Sequence, residues 1–465
     1  MGILAGFMVP HPPMIVPEVG CGGEAQIAET TAAYEKAAAE IAALEPETII
    51  ITSPHSVMYA DYFHISPGVG AEGDLGNFRA PEVSFHEEYD HELVNRIIDI
   101  AFDRNIPAGS EGERSPLLDH GTMVPLYFIR KHYGGGKIVR IGLSGLSFAE
   151  HYRLGMCIKQ AVEALDRRTV FVASGDLSHK LQDYGPYGFA PEGPEYDRRI
   201  MDSAGRGAFG EFFDFSEEFC DKAAECGHRS FVIMAGAFDG TAVKAKAYSH
   251  QDVTGVGYGI CCFYPEGKDD SRHFLDSLLE KNREKAAAAD PYVRLARASL
   301  ESFIRSGRIL RVPEDIPPTL RESLPQEIFT DRAGAFVSIH KNGKLRGCIG
   351  TIAPTADNLA EEIVGNAISA STRDPRFDAI TTDELDWLEI NVDVLGEAED
   401  ISSKDELDVK RYGVIVTSGF RRGLLLPDLE GVDDVDTQVS IALRKGGISE
   451  NEDYSLQRFE VIRHR

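Results

Sequence analysis

Four short runs rich in β-branched and apolar residues, Ile3 to Val9, Thr48 to Thr52, Ile138 to Leu143 and Thr169 to Ala173, recur between stretches of helical pattern. This alternation restricts the chain to an α/β architecture. A continuously apolar run satisfies a strand buried on both faces, and the segments between supply helices that cover it. Between the first two runs, Ile27, Thr31, Tyr34, Ala38, Ile41 and Leu44 recur at three- and four-residue steps. They mark one face of a helix and predict a crossover between neighbouring strands.

The pattern stops at Tyr264. Pro265 to Asp270 (PEGKDD) is polar, and a charged, alanine-rich stretch follows to Ala289. A new helix then opens with Asp290 as N-cap and Pro291 in its first turn, carries Tyr292, Leu295, Leu300 and Phe303 inward, and stops at Ser306-Gly307. Two hairpins are expected beyond it: Ala335 to His340 turning at Asn342-Gly343 into Lys344 to Ile349, and Gly413 to Thr417 turning through Ser418 to Arg421 into Gly423 to Leu426. At 465 residues the chain exceeds what one core serves. It reads as an α/β domain over residues 1–268, with a central sheet flanked by helices, a linker over 269–289 and a smaller α+β domain over 290–465.

Charge narrows the function. With 48 basic against 75 acidic residues the net charge is −27, which argues against a broad grip on nucleic-acid phosphates or an anionic membrane. A small ligand or a protein partner fits better. The seven cysteines include no C-x-x-C pair, so neither a disulfide framework nor a thiolate zinc site is suggested, and the reduced cytoplasm is the expected compartment. No run approaches the length of a membrane span, and Met1 to Pro10 lacks the features of a signal peptide.

Three of the apolar runs end in histidine. Ile3 to Val9 leads to Pro10-His11-Pro12-Pro13, Thr48 to Thr52 to Ser53-Pro54-His55-Ser56, and Thr169 to Ala173 to Ser174-Gly175-Asp176-Leu177-Ser178-His179. Open α/β sheets bind ligands outside the carboxyl ends of their strands. One such histidine alone reads as a loop residue bonded to backbone; three together favour metal binding or catalysis, since neutral imidazole is the commonest metal ligand.

The segments HPP (11–13), SPHS (53–56), DHGTMVPL (119–126), SGDLSH (174–179) and ECGHRSFVIMAGAF (225–238) resemble, in this order, the LigB-type class III extradiol dioxygenases and their Memo relatives. The resemblance covers nearly all of the first 264 residues. It implies that His11, His55 and Glu225 hold a metal ion, Fe(II) first and zinc or copper as alternatives, in a two-histidine, one-carboxylate set with free positions for an organic substrate and O₂. It further implies an acid/base role for His179 and a pocket-lining role for His120. Asp119 and Asp176 could orient those imidazoles or cap nearby turns, and His250 could be recruited at the pocket rim. His86, His91, His132, His151 and His228 carry no functional pattern.

In the second half Leu345 to Gly350 (LRGCIG), Arg373 to Phe377 (RDPRF) and Arg421 to Pro427 (RRGLLLP) resemble the AMMECR domain family across about residues 290–465. Cys348 has no histidine in a recognisable pairing and reads as structural. Arg346, Arg373, Arg376 and Arg421 could gather into an anion site or form separate surface ion pairs. Together the two halves resemble the fused form of the AmmeMemoRadiSam system, which implies a separate radical-SAM protein partner. The leading expectation is an Fe(II)-dependent extradiol-type dioxygenase acting on a small aromatic diol-like substrate. A non-catalytic metal-binding assembly component and a zinc-dependent hydrolase are the rivals.

Overall fold

The computed structural model describes residues 2–112, 117–429 and 431–465. Two compact units, Met1–Leu278 and Leu279–Arg465, divide the chain. The division falls inside the stretch expected as a linker, which carries a helix over Phe274–Ala288.

The first unit is built on a six-stranded mixed sheet. Its strands are β1 (Ile3–Val9), β2 (Thr48–Ser53), β3 (Lys137–Gly142), β4 (Thr169–Ser174), β5 (Thr241–Gln251) and β6 (Tyr258–Lys268), in the order β3-β2-β4-β1-β6-β5. The first four in that order run parallel, and β6 and β5 close the other side as an antiparallel pair. Every residue of β2 and β4 is buried, as their unbroken apolar runs require. The expected crossover between neighbouring strands is corrected: β4 lies between β1 and β2, with Val172 aligned to Phe7 on one side and Ile51 on the other. Helical periodicity fixes the face a crossover buries but not how many strands it passes.

Five helices matter for the site: α1 (Ala28–Leu44), α2 (His120–His132), α3 (Phe148–Ala164), α4 (Glu192–Arg206) and α5 (His228–Ala237). Ala5, Phe7, Ile49, Ile51, Val170 and Val172 share one core with Tyr34, Ala38 and Ile41 of α1 and Val124 and Phe128 of α2. The Tyr34 ring stacks on Phe128 with centroids 4.2 Å apart. From the opposite sheet face Met8, Ile50 and Phe171 are fully buried. There α3 and α5 pack backbone to backbone, since a Cβ on Gly155 would lie 2.0 Å from the Ile233 carbonyl oxygen. Parallel pairing leaves the carboxyl ends of β1, β2 and β4 on one edge of the sheet.

The second unit is an antiparallel sheet in the order Lys344–Gly350, Ala335–Lys341, Leu388–Leu395, Ser455–His464, Tyr412–Ser418, Arg421–Leu425, with Glu399–Ile401 also paired to Ser455–His464. Both expected hairpins are present. Asn342 and Gly343 take φ of 53° and 75°, the double left-handed turn that matches strand twist. Asp290 caps the helix Pro291–Ser306 by accepting from the Tyr292 N–H at 2.8 Å, and Gly307 ends it at φ 70°. Among the described residues no helix is long and apolar enough to cross a membrane.

Candidate metal centre

Where β1 ends, the loop Pro10-His11-Pro12 is fixed from three sides. The Tyr34 hydroxyl donates to the Pro10 carbonyl at 2.8 Å, the His11 N–H donates to Asp176 Oδ1 at 2.8 Å, and His11 Nδ1 lies 2.9 Å from Ser174 Oγ. Ser174 has one hydroxyl hydrogen and gives it to the Gly121 carbonyl at 2.6 Å. His11 Nδ1 must therefore be the donor to Ser174, and Nε2 carries a bare lone pair. The Gly121 carbonyl is free to accept because Pro125, four residues further along α2, has no N–H with which to bond it. A proline inside one helix thus sets the tautomer of a histidine on a separate strand end.

His55 leaves β2 in the same direction. Its N–H donates to Ser53 Oγ at 3.2 Å, and Ser53 Oγ donates to Asp119 Oδ1 at 2.5 Å. Asp119 is the N-cap of α2, accepting from Thr122 N–H at 3.0 Å and Thr122 Oγ1 at 2.9 Å. Only glycine fits at 121, since a Cβ there would stand 2.4 Å from Ser53 Oγ and 3.4 Å from His55 Cδ2. These constraints bring His55 Nε2 to 3.0 Å from His11 Nε2.

Cys226 supplies the third donor of this cluster. Its Sγ lies 3.6 Å from His11 Nε2, and the three donor atoms of His11, His55 and Cys226 all lie within 4.8 Å of one another. Glu225, expected as the carboxylate ligand, does not join them. Its Oε2 instead accepts from the His228 N–H at 2.5 Å, at the start of α5. The reason is local. The helix N-terminus, with unsatisfied N–H groups and positive dipole end, draws the carboxylate. Reading cysteines for pairs passes over Cys226, which acts with histidines; its signal was its place beside Glu225 in the ECGH segment.

His120, the first residue of α2, sits with its ring centroid 4.0 Å from that of His55 and 5.5 Å from that of His11, and Phe78 flanks it at 5.2 Å. His179 stacks on Tyr187 at 5.1 Å. Its Nε2 is buried without a hydrogen-bond partner and stands 3.9 Å from Asp176 Oδ2. Asp119 and Asp176 therefore hold backbone and cap positions and hydrogen-bond none of these imidazoles. His250 is engaged by a carboxylate: its Nε2 lies 2.7 Å from Asp197 Oδ2, and Asp197 Oδ1 accepts from the Ser178 N–H at 2.8 Å, bracing the loop that carries His179. His151 and His228 are buried and bonded to backbone oxygens of Ser147 at 2.8 Å and Phe212 at 3.0 Å.

The electrostatics suit a cation. Burial, then the neighbouring imidazoles, drives His11 far below its ordinary pKa, and burial lowers His55. Burial and the proximity of His55 push His120 and His179 down to about 4. All four rings are neutral at pH 7, which is the ligating form. Burial raises the Cys226 thiol, so an ion bound there must displace its proton. Two imidazole nitrogens and one sulfur, with one lone pair fixed by the fold, fit a transition-metal ion.

Replacing Pro125 with Ala tests this chain of constraints. The new N–H competes for the Gly121 carbonyl, Ser174 is released, and His11 loses its fixed tautomer. Metal affinity, measured by chelator competition, is expected to fall about 10- to 100-fold with thermal stability maintained.

Comparison with known proteins places both units in families. The family model described as the catalytic LigB subunit of aromatic ring-opening dioxygenase matches residues 5–261, and that of AMMECR1 matches residues 293–464. The protein CA_C1420 of Clostridium acetobutylicum is 42% identical over 478 residues, covering 100% of both chains. The chain belongs to the LigB family, joined to an AMMECR1 domain. A Thermotoga maritima protein is 50% identical over 177 residues, 38% of this chain and 97% of its own. The crystal structure titled uncharacterized protein PH0010 from Pyrococcus horikoshii is 29% identical, with a TM-score of 0.34 over 38% of this chain and 89% of that one.

In the AMMECR1 unit the arginines form separate ion pairs. Arg346 grips Glu384 through two bonds of 3.0 and 2.9 Å, Arg376 grips Asp374 at 2.9 and 2.7 Å, and Arg421 pairs with Glu452. Arg373 is exposed. Cys348 accepts at 3.2 Å from the Ser338 hydroxyl on the neighbouring strand, and its N–H donates to Asp374 at 2.8 Å, which is a structural setting.

Proposed function

We propose that the LigB unit is a metal-dependent oxygenase for a small diol-like aromatic substrate, its ion, Fe(II), held by His11, His55 and Cys226. The observation that carries this reading is the lone pair of His11 Nε2, fixed by Ser174, Gly121 and Pro125 and aimed at His55 Nε2 and Cys226 Sγ. Iron bound there would supply electron exchange between a chelated diol and O₂. The protein's own residues would do the rest. His179, neutral and with Nε2 unengaged, is competent to take a proton from a diol hydroxyl and return it later. His120 and Phe78, set edge to face at 68°, offer ring surfaces against which an aromatic substrate can pack.

A second reading draws support from Cys226. A thiolate is a softer donor than a carboxylate and favours copper(I) or zinc, which suits a metal-holding component working with a radical-SAM protein. Anaerobic loading with Fe(II), followed by a panel of catechols in an oxygen electrode, separates the two. Oxygen uptake with a yellow ring-fission product is expected. Silence from fully iron-loaded protein overturns the oxygenase reading and supports the second.

A further inference from the structure

We propose that the LigB unit takes a second ion beside the first, on Asp176, His179 and Cys226, with the Cys226 sulfur bridging the two. This rests on the mononuclear reading above and extends it. The donor atoms of Asp176, His179 and Cys226 lie within 4.8 Å of one another, as do those of His11, His55 and Cys226. Cys226 is common to both groups. A thiolate has lone pairs for two cations, whereas each imidazole nitrogen has one.

Three details of the second group favour an ion over a hydrogen-bond network. His179 Nε2 is buried without a hydrogen-bond partner, a costly state for a polar atom unless something fills the space before it. Its separation from Asp176 Oδ2, 3.9 Å, is too long for a hydrogen bond. It is within reach of two ligands sharing an ion at about 2.0–2.2 Å each. The charge also suits: the Asp176 carboxylate lies in the same group as Cys226, so one acidic group and a thiolate are available to the second cation. Imidazole, carboxylate and thiolate together select a borderline divalent ion of the zinc or cobalt type.

The neighbours hold this second group in place independently of any metal. The Asp176 N–H lies 3.3 Å from Cys226 Sγ, and a Cβ on Gly175 would stand 2.0 Å from Gly227 Cα, so the two loops are in backbone contact. Occupation of the second position withdraws His179 from proton transfer. The second ion is thus a brake on any chemistry that needs His179 as a base.

Co(II) is the probe. Titration of the metal-free full chain is expected to reach two equivalents, with sulfur-to-cobalt charge transfer in the near ultraviolet and weakened electron paramagnetic resonance intensity as the second equivalent couples to the first. His179→Ala, whose lost ring stacks on Tyr187 at 5.1 Å and makes no hydrogen bond through Nε2, is expected to fold normally and stop at one equivalent. His11→Ala is likewise expected to keep one, now without coupling. A native chain that saturates at one equivalent removable by His11→Ala overturns the second site and leaves the first intact. A second equivalent that survives His179→Ala also overturns it, and a native chain that binds no Co(II) overturns both readings.

Discussion

Cys226→Ala protein is expected to emerge from purification with less than about a tenth of the metal carried by the native chain, while Glu225→Gln retains its full complement. Loss of one of three proposed ligands removes a metal bond, and even partners that only orient a ligand contribute about 10- to 100-fold to affinity. Glu225 is a different case. Its carboxylate caps the start of α5 through the His228 N–H, so Gln there forfeits charge at a helix N-terminus, a loss of about 0.3–1 kcal/mol, and leaves the metal donors in place. Elemental analysis of the two variants decides the matter. The opposite result, a metal-free Glu225→Gln and a loaded Cys226→Ala, would restore the carboxylate set that the sequence suggested.

That contest between adjacent residues shows where sequence reading reaches its limit. Strand existence was legible because buried strands leave uninterrupted apolar runs, and His11 and His55 could be placed at strand ends because their runs terminate in proline-bearing loops. Asn342-Gly343 and Asp290-Pro291 were legible for a similar reason: each motif is a local solution to a backbone problem. Three things were not legible. The insertion of β4 between β1 and β2 depends on pairing across more than a hundred residues of chain, which periodicity does not encode. That Cys226 and not Glu225 lies with His11 and His55 depends on how the Glu225 carboxylate caps α5. The burial of His151 and His228 depends on partners, Ser147 and Phe212, whose carbonyls are supplied by the fold. The AMMECR1 arginines illustrate the converse. Their number invited an anion site, and the structure satisfies Arg346, Arg376 and Arg421 with nearby carboxylates.

Acid is expected to unfold the two units in sequence, the LigB unit first. Burial drives His151 and His228 down to about 3, and His120 and His179 to about 4. Each is neutral in the fold and titrates near 6.5 once unfolded. Their contribution is fully present above pH 6.5 and is lost as pH falls toward those lower values. Two carboxylates act in the opposite sense: burial raises Asp176 and Glu225 to about 7, so below pH 7 the folded chain holds protons that the unfolded chain releases. Four imidazoles against two carboxylates leave the metal-free unfolded state ahead by two protons, and His11 and His55 shift in the same direction as the other histidines. By pH 5 the four imidazoles have each lost about 1.5 pH units' worth of binding difference and the two carboxylates have each returned about 2, a net loss of about 3 kcal/mol, a sizeable share of a domain's usual 5–15 kcal/mol. The AMMECR1 unit behaves otherwise. Burial alone would raise Glu384, yet Arg346 and Lys341 hold it down to about 2, so its contribution persists above pH 4.5 and disappears only as pH falls toward 2. Trp387 is the chain's single tryptophan and lies in that unit. Metal-free protein at pH 5 should therefore lose most of its near-ultraviolet tyrosine signal, keeping the share of Tyr292, Tyr412 and Tyr454, while Trp387 emission stays native. Coincident transitions near pH 4 would mean that the buried imidazoles are not held neutral. Added metal, which binds only the folded form, should move the first transition to lower pH and leave the tryptophan transition where it was.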